Sequence, residues 1–276
     1  MPEPLPLPIR VLVKGASTVV YTSYMGGPRS DFAFGRVIEE EILAAGRPAQ
    51  VEVTAVPAQR LKTALKTWPA EVLTWSPDVI ILHYGHMETV HLFLPRRLER
   101  HAHSLARRPG RLRELYRKRL LKPLWKALSS GQRVVDGMLP PDLLSYKPKQ
   151  AAADLERVIE RMRSVASPLI LIPDVVKPGP SYRHFFPGMQ QRIVTMNATM
   201  AAMVDRIGSP DVRVFKVSEI VDEMFGPDGE PAPDGGHYTP ELHRAVGEGL
   251  ADVILEWASS QPHLNRHVGE RPAATG

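Results

Sequence analysis

Five short apolar runs recur along the chain with helix-period segments between them, and this alternation restricts the fold more than any other feature of the sequence. The runs span residues 9–15, 51–56, 78–85, 168–173 and 212–217, and glycine or proline closes or opens most of them. Between them, residues 34–45, 61–75, 150–164 and 187–207 place apolar side chains every three or four positions, and 240–257 does so after the last run. The helix over 61–75 is expected to be interrupted near Pro69, which has no N–H to donate. Near-continuous apolar strands alternating with helices predict a parallel five-stranded sheet covered on both faces, an α/β fold. A chain of 276 residues is long enough to bury a large core, so residues 1–276 are read as a single domain. Residues 92–146 interrupt the alternation and read as a helical insertion within it, a lid over one edge of the sheet.

That insertion carries the charge. Between Arg96 and Lys126 twelve bases face only Glu99 and Glu114, which gives this stretch +10 in a chain of net charge +5 and leaves −5 for everything else. Basic character is therefore local, and a nucleic-acid partner is not expected, because the acidic body would repel a phosphate backbone. Leucines interleave the arginines at helical spacing, as in Leu105, Leu112 and Leu115 or Leu120, Leu124 and Leu128. An amphipathic basic pattern of this kind suits a solvated lid, an anionic membrane surface, an acidic carrier protein or an anionic substrate. The absence of cysteine excludes disulfides, thiolate metal sites and a cysteine nucleophile. Residues 1–8 have neither a basic leader nor an uninterrupted apolar stretch, so the expected location is cytoplasmic, peripheral at the membrane through the insertion.

In an open parallel sheet, ligands bind beyond the carboxyl ends of the strands, which directs attention to the residues just after each run. These are Gly15-Ala16-Ser17, Pro57-Ala58-Gln59, Gly85-His86-Met87-Glu88, and the turn Asp234-Gly235-Gly236-His237 before the last helix. Taken singly, Ser17 reads as a helix cap and the 234–237 segment as a turn leading into a helix capped by Thr239 and Pro240. Taken together they supply a serine, an imidazole and a carboxylate at one sheet edge, the set that acyl transfer needs. His83, His86, Glu88 and His91 are not at the spacing of a helical metal pair, so no metal is expected. The glycine fingerprint of a dinucleotide site and the lysine of a phosphate loop are both missing, and no cofactor is expected.

The order of these blocks resembles the SGNH, or GDSL-like, hydrolase superfamily over residues 9–257 apart from the insertion. The resemblance implies a flavodoxin-like three-layer α/β/α fold, with Ser17 as nucleophile, His237 as general base and acid, and Asp234 as its orienting carboxylate. It implies an ester substrate, small or carrier-bound. Asn197 is similar to a helix asparagine frequent in that family, in a structural role.

Three positions depart from the family pattern. Ala16 replaces the acid of Gly-Asp-Ser, the second block has Ala58 where a glycine N–H is usual, and Met87 stands where an asparagine donates to the oxyanion. Loss of one such donor costs about 10²–10³ in turnover. Either His86 or Tyr84 takes its place, with the Ser17 and Ala58 N–H groups and the Gly85 segment completing the hole, or the site does slower or different chemistry. Met87 accordingly keeps a second reading in play, a weak or inactive SGNH-like protein that binds an anionic partner.

Overall fold

The computed structural model describes residues 6–23, 30–57, 59–90, 111–138, 148–226 and 228–266. Its sheet has five parallel strands, β1 (Ile9–Gly15), β2 (Ala49–Ala55), β3 (Val79–His83), β4 (Leu169–Pro173) and β5 (Val212–Phe215), in the order β2-β1-β3-β4-β5. Side chains alternate across a strand, and the core divides accordingly. Leu12, Ile80, Leu82, Ile170 and Ile172 point to one face, under α2 (Leu61–Trp75), α6 (Pro148–Arg163) and α8 (Met189–Ile207). Val11, Val13, Ile81, Leu169 and Leu171 point to the other, under α1 (Phe34–Ala44), α9 (Val217–Phe225) and α10 (Pro240–Ser259). The three-layer α/β/α architecture is thus the one expected from the alternation of runs.

The remaining helices are short or belong to the insertion: α3 (His86–Thr89), α4 (Arg111–Tyr116), α5 (Lys122–Met138) and α7 (Pro180–Phe185). A π-helical turn, Arg117–Leu121, joins α4 to α5. The rest of the insertion, 92–110 and 139–146, lies outside the described residues.

One expectation is corrected. α2 runs unbroken through Pro69. Its buried residues Leu61, Ala64, Trp68 and Val72 form a continuous stripe against the sheet, and that packing outweighs the one backbone hydrogen bond a proline removes. Three helices were not foreseen, α3 of four residues among them. α7 is only six residues long, and α9 opens at Val217, the last residue of the run read as strand over 212–217.

The register sets the site. Gly15 at the end of β1 pairs with His83 at the end of β3, so the segments that follow both strands emerge level at the carboxyl edge.

Candidate active site

A strand ending in Gly15 has no room for a larger residue. A Cβ there would lie 2.4 Å from Val19 and 2.6 Å from the His83 carbonyl. The chain turns tightly into a 3-10 turn, Ser17–Val19, held by Tyr21 N–H donating to the Ser17 carbonyl at 2.7 Å. Ser17 is the first residue of that turn and remains partly exposed, while Thr18 and Val19 are buried beneath it.

The segment before α10 is built by one carboxylate. Asp234 Oδ1 accepts from Gly236 N at 3.1 Å and His237 N at 2.9 Å, a side-chain-closed turn, and Gly235 supplies a φ of 120° that other residues rarely adopt. Thr239 then caps α10, accepting from Leu242 N at 3.2 Å, with Pro240 in the first helical position. The second oxygen, Asp234 Oδ2, lies 2.7 Å from His237 Nδ1, and His237 Nε2 lies 3.0 Å from Ser17 Oγ. Serine, imidazole and carboxylate therefore form one hydrogen-bonded line, from residues 220 positions apart in the chain.

Electrostatics fix its polarity. Burial alone would raise the Asp234 carboxyl, but the hydrogen bonds from the His237 side chain and backbone, the imidazole's charge and the Gly236 N–H outweigh it and hold its pKa below the usual value. An ionised carboxylate only accepts, so Nδ1 carries the proton and Nε2 is left to accept from Ser17. Tyr21 stacks on the His237 ring, centroids 5.2 Å apart and planes 27° apart.

Behind this line lies a buried hydrogen-bonded set that the sequence did not single out as a site. His83 contacts Thr18 Oγ1 through Nδ1 at 2.9 Å and Tyr238 OH through Nε2 at 2.8 Å. His243 accepts from Phe34 N at 3.2 Å and meets the Tyr21 carbonyl at 3.1 Å, while Ser23 N donates to the Tyr238 carbonyl at 2.8 Å and Ser23 Oγ to that of His237. Residues 17–23 are thereby fastened to residues 237–243 at several points. In the sequence these residues are marked only by adjacency, Thr18 and Tyr238 directly following Ser17 and His237.

The third block is placed as follows. Gly85 has a φ of 117°, and a Cβ there would lie 2.6 Å from Val175 Cγ2, so glycine is required. Its N–H donates to Glu88 Oε2 at 3.0 Å, and Glu88 Oε1 accepts from Leu61 N at 2.9 Å. Gly85 thus shapes the loop, and buried Glu88 ties that loop to the start of α2. Burial raises the Glu88 pKa against the opposing effect of these backbone N–H groups and of Arg60.

His86 is 6% exposed and packs against Gly236, where a Cβ would lie 2.6 Å from Nε2; its ring lies 5.6 Å from that of Tyr182. Its Nε2 is buried with no hydrogen-bond partner. Burial, with the electrostatic influence of the neighbouring His237 adding to it and Asp234 opposing, lowers its pKa from 6.5 to about 4, so the ring is neutral at neutral pH. Tyr84, the other candidate donor, points to the opposite face and donates to Gln59 Oε1 at 3.1 Å. Ala58 lies outside the described residues. Asn197 bridges Val175, donating to its carbonyl at 2.8 Å and accepting from its N–H at 2.9 Å, and so holds the segment after β4.

No protein-family model and no curated protein sequence matches the chain. Solved structures do. A lipase/acylhydrolase from Enterococcus faecalis aligns with a TM-score of 0.57 at 14% identity, covering 90% of this chain and 96% of its own. A catalytic mutant of an acetylxylan esterase from Geobacillus stearothermophilus aligns with a TM-score of 0.54 at 10% identity, over 91% and 95% of the two chains. A GDSL-like lipase from Bacteroides thetaiotaomicron aligns with a TM-score of 0.51 at 13% identity, over 90% and 88%. The five-stranded parallel sheet and these likenesses together establish that the chain has the SGNH hydrolase fold.

Proposed function

We propose that the protein is a serine-dependent ester hydrolase or acyl transferase. The observation that carries this reading is the continuous line from Ser17 Oγ to His237 Nε2, 3.0 Å, and from His237 Nδ1 to Asp234 Oδ2, 2.7 Å. As Ser17 Oγ attacks the ester carbonyl, its proton passes to His237 Nε2, and Asp234 stabilises the imidazolium that forms. The tetrahedral intermediate collapses to an acyl-serine when His237 returns that proton to the departing alkoxide. Water, or an acceptor alcohol, then attacks the acyl-serine with His237 again as base.

The developing oxyanion needs donors, and Met87 supplies none. The Ser17 N–H and the Nε2–H of neutral His86 fill that role in this reading. A buried ring nitrogen without a partner is costly in the resting protein, and an oxyanion beside it satisfies it. The names of the neighbours, lipase, acylhydrolase and acetylxylan esterase, agree with an ester substrate. The partly exposed His237 and Asp234 leave the line within reach of solvent and substrate.

Steady-state hydrolysis of short aryl esters tests the reading. Ser17→Ala and His237→Ala should each lower turnover by at least ~10³-fold in a folded protein, and Asp234→Asn should leave an equal or larger residual rate. Wild-type turnover in either alanine variant overturns it. A folded wild type with no turnover on any ester would favour the second reading, an inactive SGNH-like binding protein, to which Met87 points.

A further inference from the structure

The helix α5 (Lys122–Met138) meets the body of the protein through its polar side. Gln132 and Asp136 are buried there. Asp136 accepts from Arg192 Nη2 at 2.8 Å and from Gly188 N at 2.9 Å, and Arg192 Nε donates to the Thr89 carbonyl at 2.7 Å. This buried ion pair fixes the helix to α8 and to the end of α3, the short helix that begins at His86.

Among the described residues the far side of the same helix is apolar and uncovered. Leu124, Ala127, Gly131, Val134 and Met138 succeed one another at spacings of three, four, three and four, which aligns them in one stripe, and all five are exposed. Leu124 is 46%, Val134 59% and Met138 78% exposed, and Leu120, one turn earlier, is 61%. Such a stripe normally faces a core. Here Gln132 and Asp136 on the polar side make the buried contact instead, so the described residues leave the stripe open to a partner.

The charge of the segment that leads into this helix selects the partner. From Arg111 to Lys126 seven bases face one acid, Glu114. Lys118, although bridged to Glu114 at 2.8 Å, keeps its side chain 65% exposed, and Arg119 is exposed beside it. Two copies of this helix laid face to face would oppose like charge to like charge. An anionic bilayer offers hydrocarbon to the stripe and phosphate to the bases at once.

We propose that the protein docks on anionic lipid surfaces through α5 and the basic turn before it, with the stripe at the acyl boundary and Lys118 and Arg119 among the headgroups. Among the described residues no helix is long and apolar enough to cross a membrane, and the association is accordingly one of surface binding. The proposal is independent of the esterase reading, because its readout is binding and not turnover.

Co-sedimentation of the full chain with phosphatidylcholine vesicles, with and without phosphatidylglycerol, tests it at low and high salt. Binding should require phosphatidylglycerol and weaken with salt. Lys118→Gln and Arg119→Gln should each weaken it about fivefold, and the triple variant Leu124→Gln, Val134→Gln, Met138→Gln more than ~10-fold. All five positions are exposed, so the variants should keep the wild-type circular dichroism and melting temperature. Equal binding to both vesicles, no binding to either, or binding unchanged in the variants overturns the proposal. So does a homodimer in sedimentation velocity that the triple variant dissociates, since the stripe would then be an interface between copies.

Discussion

Thr18 and Tyr238, the residues that directly follow Ser17 and His237, are joined through the single buried imidazole of His83, at 2.9 Å and 2.8 Å. One ring nitrogen donates and the other accepts, so neither hydroxyl can move without losing a partner. The bridge ties together two loops whose residues must keep the Ser17–His237 hydrogen bond in line.

His83→Leu removes both bonds and strands two buried hydroxyls, each worth about 1–3 kcal/mol in stability. Under the esterase reading, loosening the two loops should lower kcat by about 10²-fold with little change in KM, because the loss is one of alignment. Steady-state kinetics beside a urea melt separates the two effects. A variant that is destabilised but retains full kcat would make His83 purely structural.

His86 gives a second outcome. His86→Ala should lower turnover by ~10²-fold with substrate binding nearly unchanged, the behaviour of a donor used in the transition state. Gly236→Ala should act in the same direction, since its Cβ would press on His86 Nε2 at 2.6 Å. Unchanged rates in both variants would remove His86 from the oxyanion site.

Stability should fall on mild acidification. Burial lowers the pKa of His83 to about 3, with the charges of His86 and His243 adding to it, and burial lowers His86 and His243 to about 4, from an ordinary 6.5. Above pH 6.5 all three are neutral in both the folded and the unfolded chain, and they contribute no pH dependence. Below it the unfolded chain takes up protons that the folded protein refuses, so stability is lost progressively as pH falls from 6.5 towards 4. Three such groups amount to several kcal/mol. Thermal melts from pH 8 to pH 4 check this, and His243→Gln should flatten the profile. A melting temperature independent of pH in that window would contradict the buried neutral rings.

The buried pair Asp136–Arg192 should behave asymmetrically. Asp136→Ala leaves an uncompensated guanidinium and should cost about 3–5 kcal/mol, whereas Asp136→Leu combined with Arg192→Met should restore most of it. Denaturant unfolding of the single and double variants measures the difference.

Much of the architecture was legible because the strands are apolar runs and the helices between them keep one period. Pro69 misled because local backbone chemistry says break, while Trp68 and Val72 on the buried stripe hold the helix straight through. The short helices α7 and α9 carry too few turns to show a period. Ser17, Asp234 and His237 stood out by block order, and the structure brings them into hydrogen-bonding distance. His83, Tyr238, Tyr21 and His243 did not stand out as a set, because their contacts depend on the β1–β3 register and on how α10 docks. A lone buried histidine carries no sequence signal of its partners. Glu88 drew notice only within a group whose spacing does not suit a metal, and its two backbone partners, Leu61 and Gly85, lie on separate loops that only the folded sheet brings together.

A fluorophosphonate probe followed by peptide mass mapping reports whether Ser17 is the activated serine of the proposed function. A single adduct is expected on the peptide containing Ser17, absent in Ser17→Ala and formed much more slowly in His237→Ala. No adduct on the folded wild type, or one on a different serine that persists in Ser17→Ala, would contradict that assignment.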